Sequence, residues 1–394
     1  MQRLIITTTC RNAPVGEPSG FLYIYDPEQA RVIQRGAIIE PPFRDIDPNP
    51  RGGMRGGKGI AVRGGEIFLA NSVAVFRFNR DWDLQGVITH PACAGIHDIL
   101  IDNHDHLWVS SARNDLLFKF DLAGKLLEYT DFRGQPGLRQ SLAWNQPGVL
   151  NVSAVENGKI DFRDPRTHDL TFYDGAHLNS VNQFSDGRLA VSLGFVVNRG
   201  YSTLMAVKTW LVRHGLWSGL VEVNQVIRRT LALRKDMHSQ LVVQPVRGKS
   251  AVLALADSGV FEPCLVLDQA TTPAHSLLAL PDGTGIYLNT TRGEIIHFDP
   301  LTKAILSARK VTDHFLRGAT QLDEVNLIVG SQNGLILYNR IQQKIVDQVS
   351  LSEHEGESVF AIHPLSDEFS IPPASFEKRI GKLVGFRDRE PIFE

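Results

Sequence analysis

Residues 97–129, HDILIDNHDHLWVSSARNDLLFKFDLAGKLLEY, decide the fold. With Ile96 ahead of it, the stretch reads as an apolar strand (IHDILID), a turn (NHDH), a strand (LWVSSA), a polar turn (RND), a strand (LLFKFDL), a glycine turn and a last strand (KLLEYT). Four short strands joined by tight turns make one propeller blade.

The same grammar returns in His275–Lys310 and in Arg317–Ser350, both with hairpin turn chemistry. Weaker copies cover Lys58–His90, Gln140–Gly175, His177–Lys235 and His238–Asp268, and Leu4–Arg35 supplies three strands. SVFAIHP, Ser358–Pro364, is a lone strand near the other terminus. Leu4–Arg35 lacks a first strand, so the two are expected to share a blade and hide the sheet edges. The count is eight units, or seven if His238–Asp268 is not a full blade. The expected fold is therefore an all-β propeller of seven or eight four-stranded antiparallel blades over residues 1–365. A C-terminal tail, residues 366–394, is expected to pack on its outside.

Composition agrees. The chain has 394 residues, too many for one ordinary core, and 34 Gly with 20 Pro describe a turn-rich molecule. A formal charge of −2 gives no general attraction to nucleic acid. Cys10, Cys93 and Cys264 are odd in number and far apart, which argues against a disulfide framework or a thiolate metal site. No signal-peptide apolar region opens the chain, and no run of eighteen apolar residues suggests a membrane span, so a cytoplasmic location is expected.

One interruption breaks the strand pattern. Residues 195–217 include TLMAVKTWLVRHGLW, which has helical propensity and aromatic anchors. It reads as a helix inserted between two strands, either a lid over the channel mouth or a brace on the rim.

Aligning the repeats on their second strands places Lys58, His97, Gln140, His177, His238, His275 and Arg317 at the start of the innermost strands. Four of the seven are histidine, in a chain with 13 histidines. Equivalent positions of successive blades converge on the axis, and convergence is what a metal needs. His97, His177, His238 and His275 would hold one divalent ion, Fe(II) by preference, with Mn(II) or Zn(II) as alternatives. Asp98, beside His97, would move a proton, and Asn179, Ser239 and Ser276 would orient the rings. The bland alternative is that recurring histidines only cap strands inherited from one ancestral repeat. His104, Asp105 and His106 are read as a solvated hairpin turn.

A second group is cationic. Arg51, Arg55 and Lys58 in PRGGMRGGKG, with Arg317, would receive a carboxylate, sulfate or phosphate, and Gln140 completes the substrate-binding set. The glycine run lacks P-loop spacing, so nucleoside triphosphate binding is excluded.

These strand repeats resemble the β-propeller superfamily, especially NHL-type and quinoprotein-like propellers, over nearly the whole chain. Within it, carotenoid-cleaving oxygenases hold iron with four axial histidines, and His97, His177, His238 and His275 are similar to that arrangement. Adding Gln140 resembles the manganese site of pectate-fragment lyases, and peptide-amidating lyases hold zinc with histidines. Lactonase-type propellers bind calcium through Glu, Asn and Asp, which imidazoles do not replace.

Two classes of function follow. One is a metal-dependent enzyme acting on a small anionic substrate by lyase, hydrolase or Fe(II) oxygenase chemistry. The other is a non-catalytic scaffold presenting its rim to a protein partner. A metal-free anion sensor built on the cationic side is a third.

Overall fold

The computed structural model describes residues 2–46, 54–145, 155–167, 175–199, 248–270, 273–290, 292–354 and 356–376. It also describes residues 383–384, 392–393 and scattered positions between 203 and 230. Six four-stranded antiparallel sheets are arranged around one axis. The first is β1 (Arg3–Cys10), β2 (Phe21–Asp26) and β3 (Arg31–Ala37), with its innermost place filled by β24 (Glu357–Leu365). The second is β4 (Ile60–Arg63), β5 (Glu66–Ala70), β6 (Val75–Phe78) and β7 (Leu84–Ile88). The third is β8 (Ile96–Ile101), β9 (His106–Ser111), β10 (Leu116–Asp121) and β11 (Leu126–Asp131). The fourth is β12 (Leu178–Gln183), β13 (Leu189–Val196), β14 (Gly248–Leu255) and β15 (Phe261–Ala270). The fifth is β16 (His275–Ala279), β17 (Gly285–Asn289), β18 (Glu294–Asp299) and β19 (Ala304–Lys310). The sixth is β20 (Ala319–Gln321), β21 (Asn326–Gly330), β22 (Gly334–Asn339) and β23 (Lys344–Ser350).

The count is six, not seven or eight, and two misread segments account for the difference. Residues 140–175 contain no strand among those described, because α1 (Pro136–Ser141) and irregular turns occupy the place where a blade was expected. His177–Lys235 and the segment ending at Asp268 are two halves of one sheet, β12–β13 and β14–β15. The insertion therefore lies inside a blade. It also starts later than expected, since Phe195 and Val196 still belong to β13, and helical residues are described as far as 230.

Ring closure follows the expected plan. β24 pairs antiparallel with β1, from Arg3↔Leu365 to Cys10↔Glu357, so the last propeller strand completes the first blade. The innermost strands contact one another in the cycle β4, β8, β12, β16, β20, β24 and back to β4.

Strand alternation puts apolar residues on both faces of each blade, and six buried clusters result, each spanning two neighbouring blades. Phe68 and Phe118 meet between the second and third blades, and Leu4, Ile6 and Tyr23 meet Ile328 and Leu335 between the first and sixth. Beyond the ring, Phe369 and Phe376 are buried in the cluster shared by the first two blades, and the Trp82 indole donates to the Ser370 carbonyl at 2.7 Å. Cys10, Cys93 and Cys264 are free and buried. No described helix is long and apolar enough to cross a membrane.

Two outcomes test this architecture by urea denaturation. Phe118→Ala should lower stability by about 3–5 kcal/mol, the usual cost of emptying a packed aromatic site. A chain ended after residue 356 should lose the single cooperative transition, because β1 is left as an open edge.

Candidate axial histidine site

The first hairpin of four blades closes with the same backbone bond: Asp102 N–H to His106 O, Phe184 to Arg188, Leu280 to Thr284 and Leu322 to Asn326. Counting back equally from each bond aligns His97, Asn179, His275 and Arg317. Lys58 matches Arg317, since their N–H groups bond the carbonyls of Ala70 and Gly330, the last residues of β5 and β21. His177 is not in this register. It lies two residues ahead of the aligned Asn179, and its backbone adopts φ 54°. That left-handed turn is uncommon for a residue with a side chain.

β-Bulges sit at this level in β8, β12, β16 and β24. A bulge re-aims the side chains beside it, here toward the axis. The rings of His97 and His177 lie 4.7 Å apart by centroid, His97 and His275 5.9 Å, and His177 and His275 5.6 Å. One ligand nitrogen from each falls within 4.8 Å of the other two. Tetrahedral metal bonds of about 2.1 Å need nitrogens roughly 3.4 Å apart, so a modest inward movement of the rings would suffice.

Each ring has its own support. Asp115, fully buried, accepts from the N–H groups of Gly175 (2.8 Å), Ala176 and Leu178 (3.4 Å), bracketing His177. The Thr290 hydroxyl lies 3.1 Å from His275 Nδ1. Asn179 donates to the carbonyl of Ala274, just before His275, and accepts from Ser192 Oγ at 2.6 Å. His97 Nδ1 is buried and meets no hydrogen-bond partner among the described residues. Burial and the nearby cations Arg317 and Lys58 hold His97 well below the usual imidazole range, which keeps it in the neutral, metal-binding form.

The other side of the ring is cationic. Lys58 Nζ lies 4.2 Å from the Phe360 ring centroid, Arg317 Cζ lies 3.2 Å from it, and His97 stacks on the same phenyl ring at 5.5 Å and 5°. Burial, then Arg317, Arg55, Arg113 and Arg11, depress Lys58 well below the usual amine range. A cavity of about 260 Å³ runs along the axis, and all six innermost strands contribute to its wall, with His97, Asp98, His275, Arg317 and Phe360 among the lining residues. Asp98 accepts from the N–H groups of Ile99 (3.0 Å) and Val181 (3.3 Å), and burial raises its carboxyl to about 7.

Several expectations need correction. Gln140 is exposed on α1 and does not line the cavity, because its segment is not a blade. His238, Ser239 and Arg51 lie outside the described residues. Ser276 does not orient a histidine in the described contacts; its hydroxyl accepts from Gly318 N–H at 2.8 Å. Arg55 is close enough to act on Lys58, and neither of these two nor His177 is a cavity-lining residue. Phe360, Asp115 and Thr290 were missed. Phe360 had a readable signal, since SVFAIHP was already recognised as the closing inner strand, whereas nothing local marks Asp115.

Both long departures leave from the histidine end of the fourth blade. Gly194 N–H bonds the His177 carbonyl and Val197 N–H bonds that of Gly175, so the insertion after β13 and the segment entering β12 share that end.

No protein-family model matches the chain, and no curated protein does. Solved structures do match, and they establish the fold alone. A protein of unknown function from Bacteroides caccae is 11% identical with a TM-score of 0.52, covering 92% of this chain and 98% of its own. The nidogen/laminin complex gives 8% identity and 0.51, covering 92% and 97%. Virginiamycin B lyase from Staphylococcus aureus gives 8% and 0.45, covering 84% and 77%. Fold and site together define a six-bladed β-propeller with three histidines converging on its axis.

Asp115→Ala should cost about 2–4 kcal/mol, since it leaves several buried N–H groups unpaired at once. The urea midpoint would fall with an unchanged slope. An unaltered midpoint would show that Asp115 does not hold this segment.

Proposed function

We propose that the protein is an enzyme whose axial site holds one divalent metal and acts on a small anionic substrate. The convergence of His97, His177 and His275 carries this reading, with the unpartnered Nδ1 of His97 as its sharpest detail. Three neutral imidazoles are the donor set of many catalytic metal sites, which keep a further position open. His97, His177 and His275 would hold the ion, which would supply Lewis acidity toward a substrate oxygen.

The chain's own groups divide the remaining work. Lys58 and Arg317 meet the negative charge of the substrate, with Arg317 able to donate in bidentate fashion. Lys58, Arg317 and His97 all lie against the ring of Phe360. Asp98, on the cavity wall with both oxygens already oriented by backbone N–H groups, is the proton-transfer group. The inserted segment leaves from the histidine end, where a cover over the site has to be anchored. Fe(II) is the preferred ion, with Mn(II) and Zn(II) as alternatives. Its identity separates oxygenase from lyase or hydrolase chemistry.

Elemental mass spectrometry on untagged protein tests the reading. Near-stoichiometric iron, manganese or zinc is expected, with at least a tenfold loss in a His177→Ala/His275→Ala double variant. Protein that is metal-free as purified and takes up none on reconstitution would overturn it.

A further inference from the structure

The axial level buries two basic side chains. Lys58 and Arg317 are 3% and 8% exposed, and both rest on the single ring of Phe360. Among the described residues, neither has a carboxylate within ion-pair distance. Arg55, Arg113 and Arg11 add to the field on Lys58. Arg11 lies 4.8 Å from the Phe315 ring centroid, and Phe315 in turn packs against His275 at 5.5 Å. Asp98 is the acid that acts on Arg317, and its oxygens already receive two backbone N–H groups. A cation–π contact offsets only part of the cost of burying a basic group, so one phenyl ring does not offset the burial of both.

The geometry narrows the missing partner. Both side chains are measured to one ring centroid, so Lys58 Nζ and Arg317 Cζ are separated by no more than those two distances together. The axial cavity of about 260 Å³ is lined by Arg317, His97, His275 and Phe360 but not by Lys58, and it falls below the roughly 300–1,000 Å³ of drug-sized sites, so a ligand that reaches Arg317 from it is a small molecule. A divalent ion on the imidazoles would add two more positive charges, which favours a doubly over a singly charged ligand.

We infer that the axial site takes a small dianion, a phosphate monoester or a dicarboxylate, with one charged group seated between Lys58 and Arg317 beside the histidines. The inference rests on the axial site proposed above and names its substrate class. Lys58 and Arg317 are then kept at a cost to the empty fold, which the ligand relieves on binding.

Calorimetric titration of inorganic phosphate, and separately of malonate, into chelator-treated and metal-loaded protein tests this, with thermal melts alongside. Saturable binding of at least one dianion is expected, with the preferred probe distinguishing a phosphoryl from a dicarboxylate ligand. Lys58→Met should raise the melting temperature of the ligand-free protein by a few degrees, weaken dianion binding at least tenfold and abolish the dianion-induced rise in melting temperature. Arg317→Gln should show the same tenfold loss, with Arg317→Lys intermediate.

A Lys58→Met protein that melts lower than wild type and still binds the dianion normally would make Lys58 structural and overturn the inference. So would wild-type protein that binds neither probe in either state. Metal uptake without dianion binding sinks this inference alone. Dianion binding by protein that takes up no metal supports the clamp and sinks the metal reading.

Discussion

The antiparallel pairing of β1 with β24 is the contact on which the rest depends. It joins two segments more than three hundred residues apart and turns a row of sheets into a closed ring. Every blade has apolar faces that only its neighbours can cover, so an open ring would leave two faces and two edges in water. Closure also creates the site. It brings Phe360, on the last inner strand, against Lys58 on the first complete blade and Arg317 on the last. The inner strands can then present polar residues to a shared axis because the hydrophobic work is done between the blades.

That division of labour explains the mixture found at the axis. The clusters between blades are apolar and continuous, whereas the axial level carries three histidines, two buried cations, one carboxylate and one phenyl ring. Buried polar groups cost stability unless they are paired. Here Asp115, Thr290 and Asn179 hold the segments around His177 and His275, while His97 Nδ1 lacks a hydrogen-bond partner among the described residues. A supporting frame around incompletely satisfied central groups is the pattern expected of a site prepared for a ligand.

Much of the fold was legible because hairpins are local. The turns and alternating residues of 97–129, 275–310 and 317–350 are complete instructions for three sheets, and the closing strand was readable from an incomplete repeat at one end and a lone strand at the other. The count failed where locality failed. A blade split by an insertion between β13 and β14 looks like two weak blades, and the turns of 155–167 with α1 resemble a degraded repeat. At the site, His97 and His275 follow from register. His177 reaches the same place from a different register, through φ 54° and a buried carboxylate sixty residues earlier. Gln140 was misplaced by the same loose alignment.

The sequence by itself determined that the chain repeats a four-stranded unit, that its ends share a blade, and that histidine and cationic side chains recur where inner strands begin. Periodicity, turn residues and repeat spacing are written along the chain, so they need no partner to be read. Only the tertiary structure decided the number of blades, which histidines meet, and that Lys58 and Arg317 share the ring of Phe360. Those outcomes depend on bulges, on loop excursions of unequal length and on contacts between residues at opposite ends of the chain, and these take definite form only when the ring closes.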